Sequence, residues 1–144
     1  MDIKSIIGKI FILALLIAGV LLTDAFAKNE SGTSSTNRWL APPTAKSISN
    51  PLTVTPEVVK AGKKIFAQQC VVCHGQSGKG DGPTAQFLGK KVANLTSPQV
   101  QSQTDGELFW KISNGNAPMP GFKTILSDEQ RWQVITYIRQ LASK

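Results

Sequence analysis

Residues 70 to 74 read Cys-Val-Val-Cys-His, and they hold both cysteines and the single histidine of a 144-residue chain. Three chemistries use such a cluster: a dithiol redox centre, a metal site, or covalent attachment of haem. A thioredoxin-like dithiol belongs beside alternating strands and helices, and the patterns around this motif are helical only. A structural zinc site needs four ligands, whereas two thiols and one imidazole stand here with no carboxylate adjoining them. Haem attachment accounts for the spacing mechanically. The two thiols add to the two vinyl groups of the porphyrin, and the residue after the second cysteine then lies under the iron. A structural disulfide between Cys70 and Cys73 is the remaining alternative, and the context disfavours it.

That context begins at the N-terminus. Lys4 and Lys9 precede an apolar run from Ile10 to Leu22, and Ala25-Phe26-Ala27 follows it. A charged start, a short apolar core and small residues at a cut site describe a secretory signal peptide over residues 1–27. The alternative is an uncleaved anchor, marginal because the stretch from Ile6 to Leu22 reaches spanning length only by including Lys9. Export to a haem-loading periplasm fits the motif. Removing residues 1–27 takes away two basic and two acidic side chains, so the net charge stays at +7. The excess is scattered, with pairs at Lys63-Lys64 and Lys90-Lys91 but no long tract. A nucleic-acid binder would show a basic stripe, so no nucleic-acid partner is expected. A basic face that meets an acidic protein is the better match, since such fields speed encounter, and a generally solubilising surface is the equal alternative.

Residues 28–54 divide into a polar tether, Lys28 to Thr36, and a proline-rich stretch from Arg38. The stretch shows no helical pattern and is expected to form an extended arm, pinned by Trp39, Leu40 and Leu52. Three helices are predicted in residues 55–144. Thr55-Pro56-Glu57 supplies an N-cap, a proline at the first helical position and an acid in the first turn. Apolar residues at Val58, Ala61, Ile65 and Phe66 then carry that helix into Cys70. Thr104 to Glu107 and Ser127 to Gln130 fit capping boxes that open the second and third. Asn114-Gly115 stops the second. The third presents Val134, Ile138 and Leu141 on one face. About 90 residues of short helices and long loops with few large apolar side chains look underpacked, and a large apolar cofactor at the centre would repair that.

One histidine rules out two histidine ligands from this chain. The other soft donor is Met119, the only methionine after the initiator, set in Ala117-Pro118-Met119-Pro120-Gly121-Phe122. Prolines on both sides stiffen the backbone and remove amide donors. Met119 is therefore the candidate distal axial ligand, and His74 the candidate proximal one.

Taken together, Cys70 to His74, Gly78-Lys79-Gly80-Asp81-Gly82-Pro83, Met119 to Phe122 and the aromatic last helix Trp132 to Ile138 resemble a class I monohaem c-type cytochrome of bacterial periplasms. The resemblance covers about Pro56 to Leu141. It implies an all-α, small cytochrome c fold, about three main helices with long loops wrapped around one covalent haem c. It implies that Gly62 and Phe66 pack against Trp132 to Tyr137. The function it implies is electron transfer between redox protein partners, with Cys70 and Cys73 attaching haem and His74 and Met119 binding iron. The arm lies outside the family pattern.

Other features carry less. The glycine run lacks the G-K-[ST] ending of a phosphate loop and is expected to pass close to the porphyrin edge. A carbonyl in its turn, that of Pro83, is the expected acceptor for the Nδ1–H of His74. Asp81 reads as a turn residue, and Trp110, Phe87, Phe122 and Trp132 as core. Two other functions stay open: the cytochrome subunit of a periplasmic dehydrogenase or reductase, and an open-site haem sensor or peroxidase. The absence of a distal histidine to act as acid or base speaks against the last. The membrane enters only if the N-terminal segment is retained, and the sequence carries no signal for oligomeric state.

Overall fold

A computed structural model describes residues 39–143. The predicted signal peptide and the whole of the tether lie outside the described residues.

The local start signals form as the residue types demand. The Thr55 side chain accepts from the Val58 amide at 3.3 Å and opens α1, Pro56–Gln69. Reciprocal capping boxes join Thr104 with Glu107 and Ser127 with Gln130, opening α4, Asp105–Asn114, and α5, Asp128–Ala142. Each box satisfies amides that a helix start leaves without partners. Two shorter helices lie between, α2 at Val71–His74 and α3 at Pro98–Gln101. Among the described residues there are five α-helices and no strand, only an isolated bridge between Asn116 and Met119.

Helix α1 crosses α5. At Gly62 the two backbones come so close that a Cβ would collide with the Gln133 carbonyl. One turn on, the rings of Phe66 and Tyr137 meet at 5.3 Å and 60°, an edge-tilted arrangement aromatic pairs favour. The contact of Gly62 and Phe66 with the last helix is as the sequence implies. Ile65, Phe122, Leu126, Val134 and Ile138 complete this cluster. A second cluster joins Val100, Leu108, Trp132 and Ile135, with Phe109 stacked on Trp132 at 4.0 Å. Helix α5 faces both. Beside the second cluster the Arg131 guanidinium is buried over the Phe109 ring, bonded to Ser113 and Asp128, while its Nε has no partner.

The arm departs from expectation. It contains a 3-10 turn, Pro43–Ser47, that packs on α4. Proline at its start presets φ, and the Ala45 and Ile48 amides bond back to the Pro42 and Ala45 carbonyls. Trp39 and Leu52 do turn inward, but Leu40 is 66% exposed and pins nothing. Phe87, expected in the core, is 78% exposed on a 3-10 turn, Ala85–Phe87.

Candidate haem site

Cys70 ends α1, its amide bonded to the Phe66 carbonyl, and it also starts α2. One turn of helix brings Cys70, Cys73 and His74 to the same wall of a cavity of about 280 Å³. The cysteines are not bridged. Burial pushes the Cys70 thiol up to about 12, with the neighbouring Cys73 adding to the rise. A thiol held protonated in this way makes a poor dithiol redox centre, whose attacking sulfur must be a thiolate. Cys73 Sγ lies 3.3 Å from the Thr84 hydroxyl.

The Nδ1 of His74 lies 3.1 Å from the Ala93 carbonyl. A carbonyl only accepts, so Nδ1 carries the proton and Nε2 keeps its lone pair. Burial lowers the histidine's pKa, against the opposing pull of that hydrogen bond, and favours the neutral ring. The acceptor is therefore Ala93 and not Pro83. Its position follows from the loop path, because the Leu95 amide bonds to Gly78 at 2.7 Å and draws residues 92–95 across the helix end.

The glycine run also lies elsewhere than expected. None of Gly78, Gly80 and Gly82 lines the cavity. The run instead wraps the back of α2, where the Gly80 and Gly82 amides bond to the His74 and Cys73 carbonyls at 2.8 and 3.1 Å. These bonds satisfy the acceptors a short helix leaves open at its C-terminus.

Met119 lines the same cavity from the loop after α4. Gly115 ends that helix, as the sequence predicts. The loop is held by paired hydrogen bonds between Asn116 and Met119, both 3.0 Å, and is tied back by Phe122 to Ile112. All four predicted site residues thus meet at one cavity. Apolar walls come from residues such as Leu88, Leu95, Leu108, Ile112, Phe122 and Val134. Lys90, Lys91 and Lys111 are among the polar lining residues. An apolar macrocycle with carboxylate side groups fits such a set: hydrocarbon walls, cations for the carboxylates, two thiols and two soft donors. Among the described residues no three His, Cys, Asp or Glu gather as a metal site of the ordinary kind. Sequence reasoning missed Trp39 as a lining residue, and also Ala93, whose carbonyl has no side-chain signature at all.

A short helix carrying Cys70, Cys73 and His74 that opens onto an apolar cavity shared with a lone methionine, inside a shell of helices, belongs to a monohaem class I c-type cytochrome with haem c as its cofactor. Residues 57–138, more than half of the chain, match the family described as cytochrome c oxidase, cbb3-type, subunit III, and the chain belongs to that family. It is similar to cytochrome c6 of Synechocystis sp., 34% identical over 83 residues, which are 58% of this chain and 65% of that protein. Cytochrome c6 of Leptolyngbya boryana is 33% identical over 85 residues, covering 58% of this chain and 93% of the relative. Among solved structures, a chain of the reducing HAO-like protein complex of Kuenenia stuttgartiensis superposes with a TM-score of 0.55 at 28% identity. That match covers 65% of this chain and 49% of the other, so the present chain spans about half of that neighbour.

Proposed function

We propose that this chain is an exported electron carrier, with haem held covalently by Cys70 and Cys73 and its iron bound by His74 and Met119. The observation that carries the reading is the convergence on one cavity of the only histidine, the only non-initiator methionine and two unbridged cysteines. When bound, haem supplies one-electron exchange between ferrous and ferric iron. The protein does the rest. Ala93 fixes the imidazole plane and its tautomer. The Asn116–Met119 bridge presents a thioether, which favours the ferrous form. The apolar walls exclude water.

Two axial donors from the chain leave no position for a substrate, so the chain itself carries electrons and does not make bonds. Redox proteins with acidic surfaces are the partners that the +7 charge supports. No helix among the described residues is long and apolar enough to cross a membrane, and a periplasmic location rests on the N-terminal sequence pattern. A second reading, a carrier domain serving an oxidoreductase complex, is supported by the likeness to a chain of the reducing HAO-like complex.

Absorption spectra of the purified protein, with carbon monoxide added to the reduced form, test the reading. A low-spin c-type spectrum with the weak far-red band of methionine-bound ferric haem, unmoved by carbon monoxide, is expected. Ready uptake of carbon monoxide would mean an open iron and refute methionine ligation.

A further inference from the structure

The family match begins at residue 57, yet Trp39, well before it, lines the cavity together with Cys70, His74 and Met119. Its position is determined by several fixtures. The indole sits 6.4 Å from the Trp110 ring at 53°, and Lys111 Nζ lies 5.4 Å from its centroid. Further along, Ala45 is buried with 1% exposure, and its carbonyl and that of Ile48 lie against Gly106 at the start of α4. A Cβ at position 106 would collide with both oxygens. Asn50 Nδ2 then donates to Thr136 Oγ1 at 3.1 Å, and Leu52 packs on the second core cluster. Leu40, the residue after Trp39, faces solvent. Burial of apolar surface alone would take either side chain, and only the indole is turned toward the cavity.

We propose that Trp39 is a haem-contacting residue that adds a wall to the haem pocket, and that residues 40–52 are the strap that anchors it, seated in the gap left by Gly106. The inference rests on the haem reading of the cavity. Its consequence is electrostatic. A wall that keeps water from the cofactor disfavours the more highly charged ferric state, so the arm raises the midpoint potential.

The test uses the holoprotein. The indole N–H signals of the tryptophans are recorded by NMR in the oxidised and reduced forms, with Trp39 assigned by its loss in Trp39→Phe. Ferric iron is paramagnetic and its dipolar shift falls with the cube of distance, so the Trp39 signal is expected to shift more between the two forms than those of Trp110 and Trp132, which do not line the cavity. In Gly106→Ala the redox-linked shift should vanish as the arm is evicted. Trp39→Ala removes the wall without forcing a clash and should lower the midpoint potential. A Trp39 signal identical in both oxidation states, or an unchanged potential in Trp39→Ala, overturns the proposal. Absence of covalent haem from the purified chain would overturn the haem reading itself, whereas covalent haem beside a redox-silent Trp39 overturns this inference alone.

Discussion

The imidazole of His74 donates through Nδ1 to the carbonyl of Ala93 at 3.1 Å, nineteen residues along the chain. That carbonyl is held by an Asx turn at its neighbour, where Asn94 Oδ1 accepts from the Thr96 amide at 2.9 Å and the Thr96 hydroxyl at 2.8 Å. Asn94→Ala should cost about 1 kcal/mol of stability. It should also raise the midpoint potential slightly, because a less firmly bonded imidazole is a weaker donor to ferric iron. Denaturant titration and a potentiometric titration check the two effects.

Met119 gives a sharper test of the proposed ligand set. Met119→Ala should leave the covalent haem in place but admit carbon monoxide to the reduced protein. Met119→His should keep the low-spin spectrum and lower the midpoint potential, since imidazole favours ferric iron more than a thioether does. A normal methionine band surviving in either variant would remove Met119 from the iron.

Gly62 lies against the Gln133 carbonyl where α1 crosses α5. Gly62→Ala forces two backbones apart that have no flexible side chain to yield, and should cost about 1–3 kcal/mol. At about 4–8 °C per kcal/mol for a domain of this size, calorimetry would register it clearly.

Arg131 and Ser113 should respond in opposite directions. Ser113→Ala leaves a buried guanidinium short of an acceptor and should destabilise by about 1.5–3 kcal/mol. Arg131→Met removes the charge together with its unpartnered Nε, and such replacements are often neutral or stabilising. Urea midpoints of the two variants decide this. Equal losses in both would show that the guanidinium contributes more than its burial costs.

Much of the helical frame was legible because its signals are local. Thr55 with Pro56, Thr104 with Glu107 and Ser127 with Gln130 declare helix starts within four residues, and each forms as declared. The spacing that puts Cys70, Cys73 and His74 on one turn of helix was legible for the same reason. What depends on the path of a loop was not. Pro83 and Ala93 both lie downstream of His74, and only the Leu95–Gly78 hydrogen bond decides which carbonyl arrives at the imidazole. The glycine run looked like a cofactor-facing loop, but its amides serve the carbonyls at the end of α2. The turn at Pro43–Ser47 is stable through a gap at Gly106, sixty residues away, which no window of the sequence displays.

The crossing at Gly62 has a consequence for assembly. The bonds that place His74 run no further than Ala93, and the backbone bonds that hold the Met119 loop reach back only to Ile112 and Ser113. Each side of the cavity is therefore held by backbone bonds within its own stretch of chain. Helices α1 and α5 act as the clasp between the two sides, with Lys90 to Ala117, Gln101 to Ile138 and Arg139 to Gln101 as lesser ties. Loosening the clasp would therefore open the cavity along the seam between the wall that carries Cys70, Cys73 and His74 and the loop that carries Met119.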